Sequence, residues 1–318
     1  MADWYGAGLE DDMRPRMTAL VEQGRAFTLA TIVGAESGPR PVGSQMVITP
    51  EEQWGFLSGG CIEDDVARHG REVLLSGKPR TLVYGYNSPF IDMRLPCGGQ
   101  LTVLVERVDQ EDAALAELIA LSLARKPARW QSDGHSRRCG SIGPPRNDAD
   151  PLAVDIVYLP EQRLVVIGHD PFALAIAEAG SLLRWQTHIV RPHGAVTGPS
   201  VAAKYSRLPV SDALAEINPD RWTAIAIATH DIDLDHEAII SALASDAGYV
   251  GVLGARRRLP ERLARLHAAD IGKTRIAKLH APIGLSIGSA SPHEVGISVV
   301  AEIIARNRRD TATKRVAA

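Results

Sequence analysis

The sequence predicts an α/β chain of two domains: a small α+β domain first, then a doubly wound parallel sheet. Three observations carry this expectation. The chain has 318 residues, beyond the roughly 250–300 at which a single hydrophobic core stops growing. Its first third is a series of short β-branched segments cut by Gly, Pro and Ser, with one helical pattern among them. Its second half alternates near-continuous apolar runs, TAIAIAT at 223–229 and YVGVLG at 249–254, with amphipathic stretches. That alternation implies parallel strands buried under helices on both faces.

Taken in order, residues 9–25 space Met13, Met17, Leu20 and Val21 on one helical face. Strands are expected at 27–33, 44–49, 54–58, 81–86 and 101–108, with a helix over 61–75 that turns Val66, Val73 and Leu74 to the sheet. A helix at 111–125 closes a first domain of residues 1–125. Residues 126–155 hold SDGHSRRCGSIGPPRNDADP, polar and poor in aliphatics, and are expected as a flexible linker with Cys139 a solvent-exposed bystander. A second domain, 156–318, would run strand 164–168, helix to 183, strand 187–190, strands 223–229 and 249–254, and helices at 235–245, 256–267 and 292–307.

Composition removes several function classes. Net charge is −3, which is not the basic footprint of a nucleic-acid binder. Three cysteines, at 61, 97 and 139, form no disulfide framework and no paired zinc motif. No apolar run reaches the ~20 residues of a membrane span, and the acidic start is no signal peptide. The expectation is a reducing, cytoplasmic protein with no membrane and no nucleic-acid partner.

Chemistry-bearing residues gather at strand-edge turns. Ser58-Gly59-Gly60-Cys61-Ile62-Glu63 lies between a strand and a helix, where free amides and the helix dipole suit an anion or favour the Cys61 thiolate. Acidic Glu63 and its neighbours also suit a first helical turn, and a tight turn around a buried cysteine is the plainer alternative. Cys97-Gly98-Gly99 mirrors the motif before the strand at 101, so Cys61 and Cys97 are candidates for one soft-metal or sulfur site. Arg40, in SGPRPVGSQM, is a candidate phosphate partner. In VVIGHDPFA, Gly168 opens a Rossmann-like turn, but Asp170 holds the middle-glycine position, and Arg191 stands where a ribose-binding acid belongs. His230 and Asp231 follow a parallel strand as acid/base or ligating candidates, against a capping and surface alternative. Gly254 with Arg256 and Arg257 suits an anion at a helix start, where the dipole alone disfavours cations. His280, in HAPIG, is placed to close over a ligand or simply to pack.

These pieces resemble the XdhC/CoxI family: Pro39-Arg40-Pro41, Ser58–Glu63, Cys97–Gly99, Thr229–Asp231, Leu253–Arg257, and His280–Gly288 with Pro292 and Glu294, in that order. The resemblance covers about 27–106 and 164–306. It implies a Rossmann-like C-terminal half and a maturation factor, more a cofactor-binding chaperone than a catalyst. Such a factor binds molybdenum cofactor, as molybdopterin or its dinucleotide form, and promotes its sulfuration. It then inserts the cofactor into a xanthine dehydrogenase/CO dehydrogenase type molybdoenzyme, with a cysteine desulfurase as a further partner. Cys61 and Cys97 would then be the cofactor, metal or sulfur contacts. Related chains read G-A-G-H and D-P-R where this one reads Gly168-His169-Asp170-Pro171 and Arg191-Pro192-His193. Those changes count against NAD(P). An NAD(P)-dependent oxidoreductase and a partner-docking scaffold are the rival readings, and monomer and homodimer both stay open.

Overall fold

The computed structural model describes residues 6–85, 98–142 and 153–316. The chain divides into two compact units, 1–160 and 161–318.

The first unit is built on an antiparallel five-stranded sheet of β1 (Phe27–Glu36), β2 (Gln45–Ile48), β3 (Gln53–Gly55), β4 (Arg80–Gly85) and β5 (Gln100–Val108), in the order β3-β2-β1-β5-β4. Both faces are covered. Phe27, Leu29 and Val33 of β1 join a core with α1 (Arg14–Glu22) and α3 (Ala113–Leu123). Ala30 and Ile32 point the other way, onto Val66, Ala67 and Val73 of α2 (Glu63–Ser76). The two-residue period of the strand thus feeds two cores.

The expected linker is not one over its described part. β6 (Ala128–Ser132), β7 (Arg137–Ser141) and β8 (Val154–Tyr158) form an antiparallel sheet in the order β7-β6-β8. Trp130 is fully buried in the α1/α3 core. Glu106, also fully buried, accepts from Ser132 Oγ at 2.5 Å and pairs with Arg137 at 2.6 Å. One aromatic anchor and a buried ion pair therefore order a segment whose composition reads as solvated. Cys139 is half-buried on β7 rather than solvent-exposed, and burial pushes its thiol up to about 11.

The second unit is the expected parallel sheet. It contains β9 (Arg163–Gly168), β10 (Gln186–Val190), β11 (Lys204–Ser206), β12 (Thr223–Ala228), β13 (Tyr249–Val252) and β14 (Leu279–His280), in the order β11-β10-β9-β12-β13-β14. Leu164 and Val166 face α4 (Pro171–Leu182) and α9 (Pro292–Val316), whereas Val165 and Ile167 face α5 (Val210–Ile217), α6 (Ile232–Ala244) and α7 (Leu259–Ala268). A short α8 (Lys273–Ile276) precedes β14. Strand order reverses between β9 and β12, so the ligand crevice of this fold class lies at their carboxyl ends.

Candidate functional site

Three glycine-containing loops of the first unit open at one end of its five-stranded sheet. Glu36, ending β1, and Gly85, ending β4, both pair with Gln100, which starts β5. Gln45 starts β2 beside Thr31, and Gly55 ends β3 beside Met46. The loop with Arg40, the loop with Cys61, and Gly98-Gly99 therefore share that end. Arg40 ties two of them together. Its guanidinium lies 4.3 Å from the Phe56 ring centroid and pairs with Asp11, while its buried Nε has no partner among the described residues.

The turn at 58–62 is organised differently from the sequence expectation. The amides expected to await an anion converge instead on Glu63. Its carboxylate accepts from the backbone of Leu57 at 2.9 Å, Ser58 at 2.7 Å, Gly59 at 3.1 Å, Gly60 at 2.9 Å and Ile62 at 3.1 Å, and from Ser58 Oγ at 2.8 Å. Glu63 is only 3% exposed. Burial opposes its charge, but the Ser58 and Leu57 amides and the Ser58 hydroxyl outweigh burial and hold the carboxyl below the usual range. Gly59 and Gly60 wrap this carboxylate at φ +99° and +113°, which side chains rarely adopt. Ser58 Oγ then accepts the Cys61 amide at 3.0 Å.

Glu63 is therefore the loop's internal anchor, with both carboxylate oxygens engaged by the turn, while Cys61 is exposed. Among the described residues, and apart from each glycine's own chain neighbours, no heavy atom lies within 4 Å of a Cβ added at Gly59, Gly60 or Gly98. Tyr84 donates to Asp65 in the first turn of α2 at 2.7 Å, fastening that helix start to the end of β4. Cys97, the other expected thiol, lies outside the described residues. Among the described residues no set of three or more His, Cys, Asp or Glu could hold a metal ion.

In the second unit the crevice is lined but not vacant. Gly168 must be glycine, because a Cβ would meet the Ala228 carbonyl at 2.1 Å. Asp170 Oδ1 caps α4 by accepting the Ala173 amide at 2.7 Å, and its other oxygen contacts His230 Nε2. His230 adopts φ +61°, a conformation costing a non-glycine residue roughly 1–2 kcal/mol, to make that contact. The sequence groups His230 with Asp231; in the structure Asp231 instead caps α6 through the Asp233 and Leu234 amides. Arg256 and Arg257 stand exposed after Gly254.

Both ring nitrogens of His280 are engaged within the fold. Arg306 only donates, so Nε2 accepts from it at 3.0 Å and Nδ1 gives its proton to Glu302 at 3.0 Å, with the ring stacked on Tyr249. Burial opposes the Glu302 charge, yet bonds from His280, Tyr249 and the Gly284 amide hold its carboxyl down at about 2. Glu302 and Asp170 thus anchor turns that the sequence marked only by glycine and proline. The signal for Glu302 was its place on the last helix behind HAPIG; pairing across strands hid Asp170–His230.

Comparison with known proteins follows the same division. Residues 164–303 match the XdhC Rossmann domain, and residues 20–85 match the XdhC and CoxI family. The chain is 29% identical over 303 residues to the molybdenum cofactor insertion chaperone PaoD of Escherichia coli (strain K12), covering 93% of this chain and 89% of that protein. It is 25% identical over 328 residues to a probable xanthine dehydrogenase subunit of Bacillus subtilis (strain 168), covering 92% and 97%. A crystal structure of a xanthine dehydrogenase from Bacillus halodurans shares the fold, with a TM-score of 0.73 at 24% identity over 93% of this chain and 96% of that one.

Proposed function

Because the chain belongs to the XdhC and CoxI family, we propose that it is a molybdenum-cofactor insertion chaperone for a xanthine-dehydrogenase-type molybdoenzyme. The observation that carries the reading is the exposed Cys61 thiol, held on a turn that one buried carboxylate fixes from within. Likeness to PaoD over nearly the whole chain supports it. The cytoplasm is the compartment this role requires, and no helix among the described residues is long and apolar enough to cross a membrane.

The residues at the sheet end fit such a cofactor. A thiol is a soft donor suited to molybdenum or to a transferable sulfur. Among the described residues nothing outside the turn crowds Gly59, Gly60 or Gly98, and the Nε of Arg40, without a partner among them, offers a buried donor. When bound, the cofactor supplies the redox-active metal that the client enzyme uses. The chain's own work is to hold the Cys61 sulfur at a fixed place with Glu63, to keep the approach open with glycines, and to offer cations to the cofactor's anionic groups. Sulfuration belongs to the same reading, with a cysteine desulfurase as donor.

Asp170 weighs against the NAD(P) oxidoreductase alternative. A dinucleotide brings its pyrophosphate to the first turn of the helix after the first strand, and here a carboxylate already caps that turn. The test is co-production with a client apoenzyme, followed by molybdenum and pterin analysis of both proteins. Wild type should carry pterin and activate the client. Cys61→Ala should lower client activation at least tenfold, while Cys139→Ala leaves it unchanged. A pterin-free wild type together with full activation by Cys61→Ala removes the proposal.

A further inference from the structure

The carboxyl ends of β9, β12 and β13 present three neighbouring turns along one edge of the parallel sheet. The first two are closed on each other through Asp170 and His230. The third has the opposite character. Arg256, Arg257 and Arg258 form one exposed turn, with no acidic partner among the described residues. Their neighbours on α7 are already paired: Arg262 with Asp235 at 2.8 Å and Arg265 with Asp233 at 2.7 Å. Two shallow depressions open here, and Arg258 and Arg262 line both. Val252, Gly254, Ala255, Leu259, Ala281 and Pro282 complete one; Ile232, His236, Arg265 and one carboxylate, Glu261, complete the other, where the buried Nδ1 of His236 has no partner among the described residues. Three successive cations before a helix oppose one another and the helix dipole. An anion relieves both conflicts, and guanidinium groups are the side chains best shaped to grip phosphate oxygens.

We propose that the turn 254–258 binds a terminal phosphomonoester through Arg256, Arg257 and Arg258, two strands away from the phosphate position this fold class normally uses. The chemistry selects that class of anion. A monoester carries a charge of roughly −1.5 to −2 at neutral pH and matches a cluster of cations. A dinucleotide's internal pyrophosphate has no free terminal phosphate and needs the amides of the α4 turn, where Asp170 stands. Naming the ligand as the phosphate end of molybdopterin rests on the proposed function; the anion site does not.

Ribose 5-phosphate and NAD⁺ serve as probes, titrated calorimetrically into the full chain at low and moderate salt. Ribose 5-phosphate should bind wild type with a strong salt dependence, and NAD⁺ more weakly. The triple change Arg256→Ser, Arg257→Ser, Arg258→Ser should weaken ribose 5-phosphate at least tenfold at an unchanged melting temperature. The triple lysine variant keeps the charge but loses the fork and should weaken it about threefold; this arm decides if the serine variant fails to fold. Asp170→Ala should leave the affinity within twofold. Unchanged binding in both triple variants, or a tenfold change from Asp170→Ala alone, overturns the site. The assay contains no pterin and no client, so its failure leaves the chaperone reading standing. A chain that binds ribose 5-phosphate here but never carries pterin sinks only the chaperone reading.

Discussion

Replacing Glu63 by glutamine keeps the side chain's shape and removes its charge and one acceptor oxygen. In the wild type one oxygen accepts from the amides of Leu57, Ser58 and Gly59, and the other from Ser58 Oγ and the amides of Gly60 and Ile62. Whichever way the glutamine amide turns, its NH₂ faces donors. A hydrogen bond to a charged group is worth about 1.5–3 kcal/mol. The six do not add, because a loosened turn lets water reach its amides. Breaking a buried charge's partnerships by removing one side costs about 3–5 kcal/mol, and one retained oxygen puts Glu63→Gln near the lower end, about 3 kcal/mol. At about 2–4 °C per kcal/mol for a unit of this size, the first unit should melt about 6–12 °C lower.

Calorimetry of the full chain reads that shift, and hydrogen exchange of the amides at 57–62 localises it. The pH dependence has a definite sign. The folded carboxyl lies below its ordinary 4.5, so the stabilisation is complete above that value and lost as pH falls below it. The gap between wild type and Glu63→Gln should therefore narrow in acid. A variant that melts with wild type and keeps amides 57–62 protected would show that the carboxylate does not hold the turn.

Three further outcomes are expected. Mass-mapped alkylation at pH 7.5 should label exposed Cys61 at least ten times faster than half-buried Cys139, whose thiol burial pushes up to about 11; equal rates would contradict the exposure of Cys61 on its turn and the burial of Cys139 on β7. Trp130→Ala removes the fully buried anchor of the three-stranded sheet and should cost about 3–5 kcal/mol in denaturant unfolding. Glu302→Gln should destabilise the second unit at neutral pH, with the deficit against wild type shrinking as pH falls from 4.5 towards about 2; a pH-independent deficit would mean that the Glu302 charge does not organise the 280–284 turn.

The parallel sheet was legible because its strands are buried on both faces and read as unbroken apolar runs, TAIAIAT above all. The described part of 126–155 misleads for the opposite reason. β6 buries only alternate residues, Ala128, Trp130 and Ser132, and its outward Arg129 and Gln131 make ARWQS look solvated. β11 and α5 escape the sequence because a three-residue strand and an eight-residue helix give too short a period to register. At the site, the residue types were visible and their partners were not. A glutamate following Ser-Gly-Gly-Cys looks like a dipole-favoured surface acid until the chain folds back and five amides meet it.

The three anchoring carboxylates share one logic that bears on where a ligand can bind. Glu63, Asp170 and Glu302 each occupy a glycine- or proline-marked turn and accept its backbone amides. A turn filled from within offers a ligand no nest of amides, so it cannot recognise an anion by backbone alone. What such a turn gains is rigidity, and what remains for recognition is the side chain it displays. In the first unit that is the Cys61 thiol. In the second unit the arginine turn at 256–258 is the contrasting case: no carboxylate among the described residues pairs with it, and it displays its cations directly. Among the described residues an exposed thiol and an exposed turn of arginines are thus left uncommitted, a soft sulfur and a set of cations that suit the proposed carrier of a phosphorylated, sulfur-bearing metal cofactor.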